Sequence, residues 1–162
     1  MKRIVKTTIL ATALLLPTGF VLAQEAEEEE TPEDIAVEIR HGHMLNYAAN
    51  LQRLGAMAQG NAEYDAAVAQ TAADNLVYLA SIDQSHYWLP GTAQGEHPES
   101  AALPAIWENT EDFNAKNVAL REAVTNLQST AGTDLASLQG AMQGVGQACG
   151  ACHENYRAKE EE

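Results

Sequence analysis

The sequence predicts an all-α protein, a four-helix bundle with one long connection. In four separate segments, apolar residues recur at intervals of three and four, the spacing that places them on one face of a helix. Residues 83–104 hold three of the five prolines and interrupt this pattern, as a long crossover between bundle helices would. No segment of useful length alternates apolar and polar residues, so a sheet is not expected.

The first helix is predicted to begin after Thr31, which suits the N-cap position. Pro32 suits the first helical position, and the acidic residues that follow it favour the positive helix end. The helix should run to about Gln59, where Gly60 stops it. Its apolar residues at helical spacing are Val37, Met44, Tyr47, Leu51, Leu54 and Ala58.

Two further helices are expected over residues 62 to about 82 and 105 to about 129. Gly132 then breaks the chain, and Thr133 can cap the fourth helix. The inward residues of the second helix would be Tyr64, Val68, Ala72, Leu76 and Leu79. Those of the third would be Phe113, Leu120, Val124 and Leu127.

The fourth helix has the most regular pattern, an apolar seam that extends over three heptads. The seam consists of Leu135, Leu138, Met142, Val145, Cys149, Cys152 and Tyr156. Both cysteines are therefore expected to point into the bundle, where a large apolar cofactor would have room. Glycines are costly inside a helix, and four on this helix are expected to keep side chains away from such a cofactor: Gly140, Gly144, Gly146 and Gly150.

The N-terminus has the pattern of a cleaved secretory signal over residues 1–23. Lys2, Arg3 and Lys6 precede an apolar run, and small residues follow where a signal peptidase would cut. The flanks are wrong for a spanning helix, and no cysteine at the cleavage point offers a lipid anchor. Residues 24–30 form an acidic, disordered leader. We therefore expect a periplasmic protein.

The bundle is expected to occupy residues 31–162 as one domain. After cleavage, six lysines and arginines face 23 acidic residues, a formal charge of −17. Such a surface argues against nucleic acid and anionic membrane as partners. It favours solubility, and it would also steer the protein toward a basic partner.

The chemistry is carried by Cys149-Gly150-Ala151-Cys152-His153, which matches the Cys-x-x-Cys-His attachment motif of c-type haem. Two cysteines three apart on a helix can reach two vinyl groups on one side of a haem and form thioethers. His153 then supplies an imidazole nitrogen as an axial ligand of the iron.

Other uses of a cysteine pair fit less well. A redox dithiol usually sits at a helix N-terminus, where the dipole lowers the thiol pKa, but this pair lies near a helix end. A structural zinc site needs four ligands, and the sequence has no second cysteine pair. A disulfide between Cys149 and Cys152 would strain the helix. One covalent haem c is therefore the expected cofactor.

With these features the chain resembles the class II c-type cytochromes, which include cytochrome c prime. The resemblance covers about residues 31–159. It rests on Pro32-Glu33-Asp34, Arg40, Leu54-Gly55-Ala56-Met57, Gly60, Pro90-Gly91-Thr92, Leu103-Pro104-Ala105-Ile106-Trp107, Phe113 and Cys149-Gly150-Ala151-Cys152-His153-Glu154-Asn155-Tyr156-Arg157. It implies a periplasmic four-helix bundle with its haem near the C-terminus, often a homodimer through the first two helices, and a redox partner protein.

On the proximal side, the resemblance implies that Cys149 and Cys152 are the thioether sites and that His153 is the proximal iron ligand. Arg157, one turn later, matches the basic residue that neighbours the proximal haem face. A cation at a helix C-terminus is also favourable in itself.

On the distal side, Arg40 matches the first-helix arginine that contacts the haem edge, and its guanidinium suits a propionate carboxylate. The family commonly has glutamine at the next position, where this chain has His41. The distal position over the iron lies four residues after the arginine and is occupied here by Met44.

Two branches of the family use this position differently. In the low-spin branch a methionine is the sixth ligand and the protein carries electrons, since His/Met ligation raises the haem potential. In cytochrome c prime the iron is five-coordinate and binds nitric oxide or carbon monoxide. Met44 is also a plausible core residue, because methionine fills irregular gaps. His41 and His43 are less favoured as iron ligands.

A third functional class is metal handling. His41-Gly42-His43-Met44 resembles a copper site, but on a continuous helix His41 and His43 point to opposite sides. Glu38 and His41 match the Glu-x-x-His of di-iron bundles, which need a second such motif, and the sequence has none. No nucleophile and base are arranged as in a hydrolase, so an enzyme is not expected.

Overall fold

The predicted four-helix bundle is confirmed in a computed structural model that describes residues 30–159. Four long helices and one short one occur in this range, which contains two isolated β-bridges but no strand. The helices are α1 (Pro32–Ala58), α2 (Ala66–Ser81), α3 (Ala105–Glu108), α4 (Thr110–Thr130) and α5 (Leu135–Tyr156), with a 3-10 turn at Ser85–Tyr87. The predicted signal peptide and all but the last residue of the leader lie outside the described residues.

The start of α1 is fixed by a reciprocal cap. The Thr31 hydroxyl oxygen accepts a hydrogen bond from the Asp34 N–H at 3.1 Å, and the Thr31 N–H donates to the Asp34 carboxylate at 2.8 Å. Both satisfy N–H groups near the start of the helix. Gly60 follows the helix with φ of 75°, a left-handed conformation that suits glycine. Both predicted ends of α1 are therefore correct to within a residue.

The predicted start of the second helix was four residues early. The Asp65 carboxylate accepts hydrogen bonds from the N–H groups of Ala67 and Val68, so the helix is capped there and not near Ala62. Tyr64 lies before the helix. Its hydroxyl donates to the Ala131 carbonyl at 2.8 Å, which ties the α1–α2 loop to the end of α4.

The predicted third helix is two helices. Asn109 leaves the helical conformation, and its N–H donates to the Ala105 carbonyl as α3 ends. Its side chain then caps α4 by accepting from the Asp112 N–H. In α5 the cap is Asp134, which accepts from the Ser137 N–H at 2.8 Å, and not the neighbouring Thr133. Leu135, predicted to face inward, is 36% exposed because it opens the helix.

The interior has two parts. The main core fills the space between the four long helices and includes the fully buried Leu54, Leu76, Leu127 and Leu138. We call the second part the aromatic cluster. It consists of Ile106, Phe113 and Tyr156 with Trp88, Trp107 and Cys152 packed against them.

The aromatic cluster fastens the long connection to one end of the bundle. Ring centroids lie 4.8 Å apart for Trp88 and Phe113 and 5.3 Å apart for Phe113 and Tyr156, in edge-to-face contacts. The Tyr156 hydroxyl donates to the Asp112 carboxylate at 2.7 Å, and the Tyr156 carbonyl accepts from the Leu103 N–H.

Within the described residues, no helix combines the length and the apolar composition that a membrane span requires.

The N-terminal cap makes stability depend on pH. Hydrogen bonds from Thr31 and from His97 lower the pKa of Asp34 to about 2. This carboxylate therefore stabilises the fold above its ordinary pKa of about 3.9, and its contribution is lost as pH falls toward 2. In Asp34→Asn, urea unfolding followed from pH 5 to pH 2 should show a smaller acid-induced loss of stability. Parallel curves for the two proteins would contradict this account.

Candidate haem site

The attachment motif lies in the last two turns of α5, where the main core meets the aromatic cluster. Cys149 and Cys152 are free and half-buried. Cys149 packs against the main core, whereas Cys152 packs against the aromatic cluster. The two thiols thus face the interior at the boundary between its two parts.

The electrostatics of the two thiols differ from those of a redox dithiol. Burial raises the pKa of Cys149. Burial, and then the neighbouring Cys149, raise the pKa of Cys152. A catalytic thiol pair needs a lowered pKa to supply a thiolate. The environment therefore argues against a role for the two cysteines in thiol exchange.

His153 follows the second cysteine on the exposed margin of α5. Burial, and then the positive charge of Arg157, lower the pKa of His153. The lowered pKa favours the neutral imidazole, which has the lone pair that a metal ligand needs. The two residues share a shallow depression that includes Gly150, and the Arg157 N–H donates to the His153 carbonyl at 3.1 Å. The structure thus brings together the residues expected on the proximal side.

The side chain of Met44, on α1, is partly exposed to solvent. Met44 is 41% exposed, although Val37, two turns earlier, is fully buried and Leu51, two turns later, packs against the main core. Tyr47, on the next turn, is only 6% exposed. An apolar side chain left open between covered neighbours fits an additional group at this level of the bundle.

Arg40 is a buried cation whose protein hydrogen-bond partners are all neutral. It is 5% exposed, and its guanidinium donates to the Thr92 hydroxyl, the Thr92 carbonyl and the Ser100 hydroxyl at 3.0–3.2 Å. It also lies over the Trp88 ring at 4.9 Å, and burial lowers its pKa. No carboxylate of residues 30–159 forms an ion pair with it. A buried charge without a counter-ion is costly, so an anionic group beside Arg40 would relieve that cost.

The two first-helix histidines lie in different environments. His41 is exposed, whereas His43 is 6% exposed and packs edge-on against Tyr47 and Tyr87, with ring centroids 5.0 and 5.6 Å away. This agrees with the expectation that they cannot chelate one ion. In the described part of the chain, no cluster of three or more His, Cys, Asp or Glu side chains is placed to hold a metal ion.

These residues fit a haem c. The two inward thiols and the neutral imidazole have the chemistry of attachment and proximal ligation. The buried guanidinium suits a propionate, and the uncovered Met44 leaves room on the opposite side. The contacts of Thr92 and Ser100 with Arg40 were missed from sequence, because 52 and 60 residues separate the partners. Helical periodicity predicts only a core position for Tyr47 and gives no signal for its buried hydroxyl.

Comparison with known proteins gives consistent matches over most of the chain. The family model described as Cytochrome C' matches residues 35–157. A cytochrome c-554 from Cereibacter sphaeroides is 49% identical over 93% of this chain and 96% of its own, and a cytochrome c' from the same species is 36% identical over 98% and 99%. Among solved structures, the nitric oxide complex of a mutant cytochrome c prime from Alcaligenes xylosoxidans has a TM-score of 0.70 and 31% identity, covering 82% of this chain and 100% of that one.

The contacts of Arg40 predict its contribution to stability. Arg40→Met removes three hydrogen bonds from a charged donor and leaves Thr92 and Ser100 without this partner. The free energy of unfolding should therefore fall by about 3 kcal/mol. Arg53→Met, a change at an exposed position of the same helix, should alter stability by less than about 0.5 kcal/mol. Urea unfolding followed by far-UV circular dichroism measures both, and equal effects would contradict the anchoring role.

Proposed function

Because the chain belongs to the cytochrome c' family and carries covalently attached haem c, we propose that it is a periplasmic electron carrier. Its iron would be ligated by His153 and Met44. The haem supplies a reversible one-electron iron couple, and His/Met ligation raises its potential. The protein's part is to attach, orient and enclose the group.

Each of the predicted residues has a defined task in this proposal. Cys149 and Cys152 form the thioethers from the end of α5. His153, held neutral, offers its lone pair to the iron. Arg40 supplies positive charge for a propionate, and Arg157 lowers the proton affinity of His153 from the proximal side. His41, adjacent to Arg40 and exposed, would contact only the haem edge.

The preference for electron transfer over gas binding depends on ligation of the iron by Met44. The Met44 side chain is 41% exposed, although Arg40 and Tyr47, one turn to either side on the same face of α1, are buried. A sulfur atom on an unbranched side chain adapts readily to a nearby partner. Ligation would remove the exposure of this apolar side chain and close the distal face against exogenous ligands. The predicted signal sequence supports a periplasmic location, and we propose an electron carrier and not an enzyme.

The second candidate function is gas binding at a five-coordinate haem. Two solved relatives support it by their descriptions: the nitric oxide complex named above, and a carbon monoxide-bound variant of the same cytochrome c prime with a TM-score of 0.69. In this case Met44 would line an open distal pocket without binding the iron.

We also propose that the chain forms a homodimer through α1 and α2. One solved relative, with a TM-score of 0.72 and 27% identity, is described by its ligand-controlled dimer dissociation. In this chain, large apolar side chains are exposed on both helices, among them Leu45 on α1 and Val68 and Tyr78 on α2. A second copy of the chain would cover them.

Optical spectra test the ligation of iron by Met44. The haem-loaded protein should have low-spin spectra in both oxidation states, and carbon monoxide should bind the reduced form weakly or slowly. Met44→Ala should yield a high-spin form that binds carbon monoxide readily, because the sixth position is then free. His41→Ala serves as the control and should retain the low-spin spectra. Ready binding by the unmodified protein would instead favour the gas-binding candidate.

Sedimentation velocity tests the dimer. Tyr78 is 70% exposed on α2, and placing a charge there should weaken self-association by tenfold or more, roughly the effect of removing a central interface aromatic. Tyr78→Lys is therefore expected to shift the population toward monomer. Val118→Lys, at a 49% exposed position on α4, should leave it unchanged. A monomeric unmodified protein would reject this assembly.

A further inference from the structure

The Tyr47 hydroxyl is a buried polar group without a protein partner. The residue is 6% exposed, and among residues 30–159 its oxygen is the buried side-chain polar atom that makes no hydrogen bond. Buried hydroxyls in native proteins are nearly always hydrogen-bonded. An acceptor other than a protein group would satisfy this hydroxyl.

Tyr47 lies on the same face of α1 as Arg40 and Met44, the residues expected on the distal side of the haem. Tyr47 follows Met44 by three residues and Arg40 by seven, or about 4.5 and 10.5 Å along the helix axis. Long helical side chains lean back over the preceding turn, so the Tyr47 ring extends toward the level of Met44. The ring belongs to the main core against which Cys149 packs, and Cys149 is close enough to help raise the pKa of Tyr47.

Neighbouring polar groups do not supply an acceptor. The His43 ring packs edge-on against Tyr47, but its Nε2 lies 3.3 Å from the Gln84 amide nitrogen. Arg121 has only donors, and its Nε donates to the Ala80 carbonyl. The tyrosine O–H is therefore available to an acceptor inside the haem site.

We propose that Tyr47 is the hydrogen-bond donor of the distal haem pocket. Its hydroxyl donates to the outer atom of a diatomic ligand bound at the sixth iron position, and so favours ligands whose outer atom carries partial negative charge. Hydrogen-bond donors of the distal pocket determine which ligands a haem binds. The inference rests on the proposed haem site. Where Met44 ligates the iron, a diatomic ligand must displace Met44 before it can accept this hydrogen bond.

The infrared C–O stretch of the reduced, carbon monoxide-bound protein is the direct test. A donor at the outer oxygen weakens the C–O bond and lowers the stretching frequency. In a Met44→Ala background, which frees the iron, adding Tyr47→Phe should raise that frequency. Nitric oxide should also dissociate about tenfold faster, the change expected for loss of one such hydrogen bond.

Tyr87→Phe in the same background is the matched control. Tyr87 is also 6% exposed and contacts the same His43 ring, so its loss tests whether repacking alone moves the band. The frequency should stay unchanged in this variant. An unchanged frequency in the Tyr47→Phe protein, or an equal shift in the Tyr87→Phe protein, would overturn the proposal.

A second measurement does not depend on the folding of the tyrosine variants. With Tyr47 intact, transfer of the Met44→Ala protein to heavy water should shift the C–O band, because the donated proton is exchanged. Absence of that shift would also overturn the proposal.

If the unmodified protein binds carbon monoxide readily, ligation by Met44 fails, and the same comparisons are then made without the Met44 change. Failure of the Cys149–Cys152 motif to hold haem would instead reject the proposed function.

Discussion

The burial of Arg40 is the constraint on which the rest of the site depends. Its guanidinium holds Thr92 and Ser100 of the long connection against α1, and its contact with Trp88 fixes a second point of that connection. Trp88 in turn packs on Phe113 of the aromatic cluster, against which Cys152 also packs. The Arg40 side chain on α1 thereby helps to position the long connection, which packs through the aromatic cluster against the cysteine-bearing end of α5.

This arrangement couples the fold to its cofactor. A guanidinium with only neutral partners retains its full charge in a poorly hydrated environment, and a carboxylate brought close to it gains more than it would in water. Haem propionates are such carboxylates. The buried charge of Arg40 would therefore attract a propionate, in addition to the proposed thioether bonds of the cofactor. Loss of the haem should loosen the long connection before it disturbs the main core, whose contacts are apolar and independent of Arg40.

The sequence predicted what local rules determine. Helical periodicity located the four long helices, and the Cys-x-x-Cys-His motif predicts the attachment residues, because both signals lie within a few consecutive residues. The errors arose where two adjacent polar residues compete for one cap, as at Thr133 and Asp134, or where a single side chain divides a continuous pattern, as at Asn109. The partners of Arg40 could not be predicted, since they depend on how a proline-rich loop returns to a distant helix.

The first helix shows how periodicity gives neighbouring residues different roles. Successive positions lie 100° apart. His41 is therefore exposed, His43 is buried among tyrosine rings, and the Met44 side chain is partly exposed. Arg40, Met44 and Tyr47 recur at intervals of four and three and share one side. A buried guanidinium, a thioether and a buried hydroxyl without a protein partner are thus placed on consecutive turns. Because all three project from one helix, a change in its register would displace them together, whereas a substitution at one turn would alter one group alone.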